Sequence, residues 1–173
     1  AGRHIPEKRV TAIPPAIKLA REQIPELRAM ILGDGPDRDS VLEIVARLGL
    51  QSVVEAPGFV TTDAVEDYLA RAMCHLLPSR REGYGLVVLE AAARGTPSVV
   101  AAGPDNAAVE LVDEGENGFI APSVSPEHLA QAIVAVHAGG DQLRRSTADW
   151  FARNAPRLSV DHSLEIVLEA YGS

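Results

Sequence analysis

Residues 81–90 read Arg-Glu-Gly-Tyr-Gly-Leu-Val-Val-Leu-Glu, and the fold can be predicted outward from this stretch. The apolar run that precedes it, residues 74–78, predicts a short buried strand. Residues 87–94 predict a helix that is closed by Gly95. A strand, a glycine-containing turn and a helix N-terminus therefore follow one another, and this order leaves free N–H groups where they can bind an anion.

Two glycines and two carboxylates flank the predicted anion site. Gly83 and Gly85 carry no side chains, so a phosphate group could approach the backbone closely. Glu82 lies on the turn, and Glu90 lies about one helical turn inside the helix, where side chains tilt back toward the N-terminus. Carboxylates at these positions would accept hydrogen bonds from sugar hydroxyls. On spacing alone, however, a helix-capping charge and a solvated helix face are the simpler interpretation.

The composition is typical of one soluble globular domain. The chain has 173 residues, of which 46% are hydrophobic and 23% charged, and only 4% are aromatic, so we expect an aliphatic core. The net charge of −8 argues against nucleic acid as a partner and means that an anionic ligand needs a local cluster of cations. The single cysteine, Cys74, excludes an internal disulfide and is expected to be buried and inert.

Targeting and metal-binding signals are not visible in the sequence. No apolar run is long enough to span a bilayer and no signal peptide is recognisable, so we expect a cytoplasmic protein. The five histidines are scattered without the spacing of metal ligands, and we assign no metal site and no cofactor. Trp150 and Phe151 are expected to pack in the core or between helices.

Strands and helices alternate along the chain, which predicts an open, mainly parallel α/β sheet with helices on both faces. Pro14 and Pro15 fit the first turn of the first helix or would kink it. Thr62 or Asp63 is expected to cap the third helix, and Asn106 the helix after the loop at residues 103–108. The predicted strands are residues 27–32, 53–56, 74–78, 97–102 and a turn and strand within 116–122. The predicted helices lie within 11–23, 37–48, 64–73, 87–94, 126–138, 141–154 and 159–171.

The setting of the two glutamates resembles a known family signature. The pattern Pro78-Ser79-x-x-Glu82-Gly83-Tyr84-Gly85-Leu86-x-x-x-Glu90-Ala91 resembles that of the family-4 retaining glycosyltransferases, also called glycosyl transferases group 1. These enzymes have two Rossmann-like domains that face each other across a cleft, the GT-B fold. From Gly2-Arg3 to about Ile133 the chain resembles the C-terminal, donor-binding domain, and we expect residues 1–173 to form one such domain. The resemblance implies transfer of a hexosyl group from a nucleoside-diphosphate sugar to an acceptor hydroxyl.

The same resemblance implies which residues bind the donor diphosphate. Arg3 and Lys8 match the family's two cations, and with the amides of Gly85 and Leu86 they would neutralise the leaving diphosphate without a metal ion. Arg9 stands where the family often has glycine, which leaves the path of this loop open.

Roles for the remaining site residues follow from the resemblance as well. Glu90 would hold the ribose hydroxyls, and Glu82 would lie near the donor sugar and position it, without acting as a covalent nucleophile. Gly33 either lines the donor cleft or belongs to a plain turn between a strand and a helix. Pro104 supplies no N–H in a loop where many relatives have Gly-Gly. The other expected donor-binding positions are Gly58, Phe59 and Val60 over the nucleobase, and Gly83 and Tyr84 in the central turn.

The resemblance also implies parts that this sequence does not contain. In the family a buried central strand runs directly into the pair that corresponds to Gly2-Arg3, and an N-terminal domain supplies most acceptor contacts. We therefore expect a fragment in which another piece supplies the strand or the sheet has adapted. The expected partners are a nucleotide sugar, the N-terminal domain and, in the whole enzyme, an acceptor sugar or lipid-linked acceptor with peripheral membrane contact left open. The chain alone is expected to bind donor weakly and to transfer no sugar.

Two other classes of function remain open at this point. One is a non-catalytic module that binds sugar nucleotides or serves in assembly, which would keep Arg3, Lys8 and Glu90. The other is an unrelated nucleotide-using α/β enzyme. Against the second, no Gly-x-Gly-x-x-Gly opens a helix after a strand, and no Walker pattern is present.

Overall fold

The computed structural model describes residues 1–158, along which short strands alternate with helices. The predicted helix at residues 159–171 lies outside the described residues. The strands are β1 (Ala29–Leu32), β2 (Val54–Gly58), β3 (His75–Leu77), β4 (Arg81–Glu82), β5 (Ser98–Ala101), β6 (Asp105–Asn106) and β7 (Gly118–Ala121). The α-helices are α1 (Ile13–Ala20), α2 (Arg38–Arg47), α3 (Thr62–Arg71), α4 (Leu86–Ala92) and α5 (Pro126–Asn154), with 3₁₀ turns at Pro6–Lys8, Val10–Ala12 and Ala107–Leu111.

All strand pairs are parallel, as predicted, but they form three sheets rather than one. The largest sheet has the order β3-β5-β7, while β1 pairs with β2 and the two-residue strands β4 and β6 pair with each other. Within the described residues, β1 and β3 are not hydrogen-bonded to each other, and residues of both strands line a cleft of about 640 Å³. The pair β1-β2 and the sheet β3-β5-β7 therefore lie on two sides of this cleft.

The core is aliphatic and is centred on β5. The continuous apolar run predicted a strand buried on both faces, and Val99, Val100 and Ala101 are each fully buried between β3 and β7. Gly118 allows the close approach of β7, since a Cβ at this position would lie 2.0 Å from the Ser98 carbonyl oxygen. Helix α5 packs against β5, β7 and α1, and α4 packs against β5, so helices cover the strands as expected.

Helix boundaries show where local signals were sufficient. Pro14 and Pro15 lie in the first turn of α1, where backbone N–H groups have no partner within the helix, so the N–H that proline lacks costs no hydrogen bond. Asn106 caps the 3₁₀ turn at Ala107–Leu111, as predicted, through a hydrogen bond donated by the Ala108 N–H to its Oδ1. The sequence predicted two helices, at residues 126–138 and 141–154. The structure joins them as α5, with a kink at Gly140, whose φ is 49° and ψ is −140°.

The predicted cap of α3 was wrong by one residue. Thr61, not Thr62 or Asp63, has the extended backbone of a cap, and its Oγ1 accepts a hydrogen bond from the Ala64 N–H at 3.3 Å. The helix begins at Thr62, two residues earlier than predicted, so Thr62 and Asp63 already belong to its first turn. Three successive polar residues could each have served as the cap, and the backbone path from β2 selected the first.

Trp150 lies in the core, as predicted. The indole is 1% exposed, and its Nε1–H donates a hydrogen bond to Asp113 Oδ2 at 2.5 Å. A buried indole N–H needs such a partner, and this one ties the second half of α5 to the turn that leads into β7.

Candidate functional site

The segment that carries Arg3 is held against the carboxyl end of β1 by the backbone. The Gly2 N–H donates to the Leu32 carbonyl at 3.0 Å, and the His4 N–H donates to the Asp34 carbonyl at 2.8 Å. Gly33 has a φ of 119°, and a Cβ at this position would lie 1.8 Å from the Gly2 carbonyl oxygen. Gly33 is thus buried beneath Gly2, so its immediate role is to let the N-terminal segment approach the turn.

Lys8 and Glu82 meet across the cleft, although 74 residues separate them in the sequence. The Lys8 Nζ lies 2.6 Å from Glu82 Oε1, and the two side chains are 24% and 13% exposed. The Ser79 hydroxyl donates a second hydrogen bond to the same Oε1 at 2.8 Å. The two groups that the sequence assigned to diphosphate and to sugar are therefore one ion pair.

Arg9 keeps the backbone conformation that glycine commonly adopts. Its φ of 49° and ψ of 36° are left-handed, and among residues 1–158 no other residue except glycine has a positive φ. An arginine here costs roughly 1 kcal/mol relative to an unstrained position. The chain therefore turns directly after Lys8, in a conformation that a glycine would adopt without strain.

The central turn lies between β3 and α4, as predicted, but residues 81–82 within it also form the short strand β4, which the sequence did not predict. Gly85 is the residue before the helix and has a φ of 91°, and a Cβ there would lie 2.5 Å from the Ala108 Cβ. Gly83 differs, because no heavy atom among the described residues lies within 4 Å of its Cβ position. Tyr84 and Leu86 are 42% and 64% exposed, so the turn presents its backbone and these two side chains toward solvent.

Glu90 lies on α4 and is exposed. Within the part of the chain that the structure describes, its side chain takes part in no hydrogen bond or ion pair. Its backbone carbonyl accepts a hydrogen bond from the Arg94 side chain. Its carboxylate is available to a ligand.

The loop after β2 is connected to the same edge of the sheet. The Gly33 N–H donates to the Gly58 carbonyl at 2.9 Å, and Arg38 from α2 donates to the Ala56 carbonyl at 2.9 Å. Phe59 is 77% exposed and Val60 half-buried. The two β–α turns are thus hydrogen-bonded to each other, while most of the Phe59 side chain is exposed.

One cleft of about 640 Å³ brings together six of the predicted site residues: Arg3, Lys8, Glu82, Tyr84, Gly85 and Leu86. Gly83, Glu90, Gly33, Gly58, Phe59 and Val60 do not line this cleft, although Gly33 and Gly58 contact each other at its border. Sequence reasoning assigned no role to Ser79, which the structure places in the cleft wall. The signal in the sequence that could have found it is a hydroxyl side chain three residues before Glu82, close enough to bond to that carboxylate.

Burial changes the pKa of three groups near the cleft. Cys74 is half-buried rather than fully buried as expected, yet desolvation raises the pKa of its thiol to about 12, so the thiol stays protonated at neutral pH. Burial lowers the pKa of His75 to about 3 and also lowers that of His4. His75 Nδ1 lies 3.3 Å from the Ser98 hydroxyl, and its Nε2 has no partner among the described residues.

We expect the free energy of unfolding to fall in acid, and His75→Phe to remove much of that fall. Below the ordinary pKa of 6.5 the unfolded chain protonates this imidazole, whereas the folded chain keeps it neutral until the pH approaches about 3. The unfolded state therefore binds more protons in this window, and stability is lost as the pH falls through it. The loss from neutral pH to about pH 4.5 is on the order of 2 kcal/mol.

Urea denaturation at several pH values measures this loss. His137→Phe serves as the matched control, because His137 is exposed on α5. An acid-dependent loss of the same size in wild type and in His75→Phe would contradict the assignment to His75.

The fold and the cleft define a Rossmann-like α/β domain whose polar groups gather at the carboxyl ends of parallel strands, the usual place for a ligand in such sheets. The family model described as glycosyl transferases group 1 matches residues 1–139, and the chain belongs to this family.

Curated relatives of known name are considerably longer than this chain. An exopolysaccharide phosphotransferase of Streptomyces coelicolor is 32% identical over 163 residues, which are 92% of this chain and 17% of that protein. A D-inositol 3-phosphate glycosyltransferase of Jonesia denitrificans is 30% identical over 184 aligned positions, covering 99% of this chain and 41% of that protein. The chain thus spans less than half the length of these relatives.

Solved structures share the fold. Anabaena HepE in complex with UDP has a TM-score of 0.84 at 24% identity, over 99% of this chain and 47% of HepE. Staphylococcus aureus TarM has a TM-score of 0.85 at 21% identity, over 99% of this chain and 34% of TarM. These similarities confirm a Rossmann-like half of the GT-B fold.

Residues 1–158 contain neither a membrane-spanning helix nor a cluster of metal-binding side chains. Among residues 1–158, no helix has both the length and the apolar character needed to cross a membrane. In the same residues, no group of three or more histidine, cysteine, aspartate or glutamate side chains is arranged to hold a metal ion.

Proposed function

We propose that this chain is the C-terminal donor-binding domain of a retaining family-4 glycosyltransferase, which moves a hexosyl group from a nucleoside-diphosphate sugar to an acceptor hydroxyl. The observation that carries the proposal is the convergence of Arg3, Lys8 and Glu82 on the turn that ends in Gly85 and Leu86, within one cleft. Family membership and the names of glycosyltransferase relatives support the same reaction class.

The diphosphate occupies the part of the cleft between the two cations and the central turn. The chain carries a net charge of −8, so an anionic ligand is attracted only where positive groups are concentrated. The exposed Arg3 guanidinium offers paired donors to phosphate oxygens, and the Lys8 ammonium offers a point charge. With the amides of Gly85 and Leu86 they stabilise the charge that develops on the leaving diphosphate, which requires no metal ion.

The remaining donor groups bind around the diphosphate. Glu90 accepts hydrogen bonds from the ribose hydroxyls, since its exposed carboxylate makes no hydrogen bond or ion pair among the described residues. Glu82 positions the donor sugar, and the backbone of Gly58, Phe59 and Val60 passes over the base. Glu82 is not a covalent nucleophile; retention proceeds by same-face displacement through an oxocarbenium-like state. Gly33, Gly83 and Tyr84 shape the surrounding turns.

The acceptor is bound by a second domain of the whole protein. The chain spans 17% and 41% of two named relatives, which leaves room for such a domain. A sugar or lipid-linked acceptor reaches the donor only across that interface, so the 173-residue chain by itself binds donor weakly and transfers no sugar. The site of action is the cytoplasm, with peripheral contact to a membrane if the acceptor is a lipid.

The test is calorimetric titration of the chain with UDP, GDP and ADP and with the corresponding nucleosides. UDP is the first probe, because HepE and a pneumococcal O-GlcNAc transferase have been crystallised with it. We expect saturable binding of one diphosphate and much weaker binding of its nucleoside. Arg3→Ala is expected to weaken the diphosphate at least tenfold and the nucleoside little, because one charge-assisted phosphate contact is worth about 1.5–3 kcal/mol.

Arg47→Ala is the matched control, since Arg47 is an exposed arginine on α2 outside the cleft. An equal loss of diphosphate and nucleoside affinity in Arg3→Ala would contradict the role of Arg3. No saturable binding of any of the three diphosphates by folded chain would contradict donor binding by this domain alone.

A further inference from the structure

We infer that Glu82 and Ser79 are positioning residues that hold the Lys8 ammonium in place for the diphosphate, an inference that rests on the proposed function. The Lys8 ammonium and the Ser79 hydroxyl both bind a single oxygen, Glu82 Oε1, at 2.6 and 2.8 Å. A lysine side chain is flexible, and ordering it on binding costs up to about 2 kcal/mol. A carboxylate that already orders the ammonium removes that cost from ligand binding.

The Glu82 carboxylate can hold the Lys8 ammonium in place because buried hydrogen bonds fix its neighbour Ser79. Ser79 is 1% exposed, and its backbone carbonyl accepts a hydrogen bond from the Asn106 side-chain amide at 3.2 Å. The same amide donates to the Ala101 carbonyl at 2.8 Å, while Asn106 Oδ1 accepts from the Ala108 N–H. A buried side chain thus links the ends of β3 and β5 to the strand pair that carries Glu82.

The other end of the ion pair is held independently. The Arg80 N–H donates to the Glu7 carbonyl at 2.7 Å, which joins the residue before Lys8 to the residue after Ser79. Lysine has three N–H donors, and Glu82 uses one, so two remain for phosphate oxygens. Lys8 can therefore bind a diphosphate while it stays bonded to Glu82.

The sign of one measurement separates this role from the alternatives. The Glu82 carboxylate also repels a diphosphate, so without a positioning role its removal would tighten UDP binding. A contact between Glu82 and the donor sugar does not alter this sign, because UDP contains no such sugar. If Glu82 positions Lys8, Glu82→Ala weakens UDP binding, as Lys8→Ala does.

The experiment is a double-mutant cycle on the 173-residue chain, with UDP and uridine titrated by calorimetry. We expect Lys8→Ala and Glu82→Ala each to weaken UDP binding about 3- to 10-fold and the double variant to lose little more, since the two residues act as one unit. Ser79→Ala is expected to weaken UDP about 2- to 3-fold and uridine not at all. Lys18→Ala is the control, because Lys18 is an exposed lysine on α1.

Unchanged or tighter UDP binding in Glu82→Ala, or a double variant that loses the product of the two single effects, would overturn the inference. If the wild-type chain binds GDP or ADP instead of UDP, the same cycle is run with that diphosphate. If it binds none of UDP, GDP and ADP, donor binding by this domain alone fails, and a second measurement still tests whether Glu82 positions Lys8. The chain has two lysines, Lys8 and Lys18, so their ammonium ¹H–¹⁵N signals can be assigned by substitution. We expect a slowly exchanging Lys8 signal that Glu82→Ala abolishes. Absence of this signal in wild type, or its persistence in Glu82→Ala, would refute the inference that Glu82 holds the Lys8 ammonium.

Discussion

Gly33→Ala is expected to lower the free energy of unfolding by about 3–5 kcal/mol and to abolish nucleotide binding. The new Cβ would lie 1.8 Å from the Gly2 carbonyl oxygen, and the φ of 119° is one that an alanine rarely adopts. The turn or the N-terminal segment must move. Because the segment from Gly2 to Lys8 carries both cations, movement of the backbone removes Arg3 and Lys8 from the cleft together.

Chemical denaturation and UDP titration measure the two effects. Gly115→Ala is the matched control: Gly115 also has a positive φ, 77°, but among the described residues no heavy atom lies within 4 Å of its Cβ position. It should lose only about 1 kcal/mol and keep the affinity for UDP. If the two alanine variants are equally stable, the close contact with Gly2 does not decide the conformation.

The two glycines of the central turn are expected to respond in opposite ways. Gly85→Ala should destabilise the chain by about 2–4 kcal/mol, because its φ is 91° and its Cβ would lie 2.5 Å from the Ala108 Cβ. Gly83→Ala should change stability by about 0.5 kcal/mol or less, because its Cβ position is open among the described residues. If the diphosphate passes over this turn, the Gly83 methyl group occupies its space and weakens UDP binding.

Thermal melts and UDP titrations on the same two variants separate a structural role from a binding role. Gly83→Ala with wild-type stability and at least tenfold weaker UDP binding would place the ligand at the turn. Wild-type affinity in Gly83→Ala would remove Gly83 from the donor site, and a stable Gly85→Ala would show that α4 can begin without a left-handed residue.

The amino-acid sequence was informative wherever a short segment carries its own signal. The apolar run of Val99, Val100 and Ala101 predicted the buried strand β5, and Pro14 and Pro15 marked the first turn of α1. The apolar run at 74–78 and the stretch at 81–90 predicted the order of strand β3, glycine turn and helix α4. Each of these features depends on hydrophobic periodicity or on the steric properties of one residue type, which act within about ten positions.

Sequence reasoning was less successful where neighbouring residues compete or where a contact is distant. Thr61, Thr62 and Asp63 are all suitable caps, and the backbone path chose Thr61. Gly33 was interpreted as part of a cleft lining or of a plain turn, yet its conformation is required by contact with Gly2. No local pattern reports such a contact, because the two residues meet only after β1 and the N-terminal segment are in place.

The sequence alone was enough to predict an alternating α/β chain and an aliphatic core, and its family resemblance suggested two cations and two carboxylates as candidates for a donor site. Only the tertiary structure decided that Lys8 and Glu82 are partners, that Ser79 supports them, and that the position between β1 and β3 is an open cleft. The reason is physical: a turn or helix end is set by nearby residues, whereas an ion pair across 74 residues exists only when packed sheets bring two distant turns to the same edge.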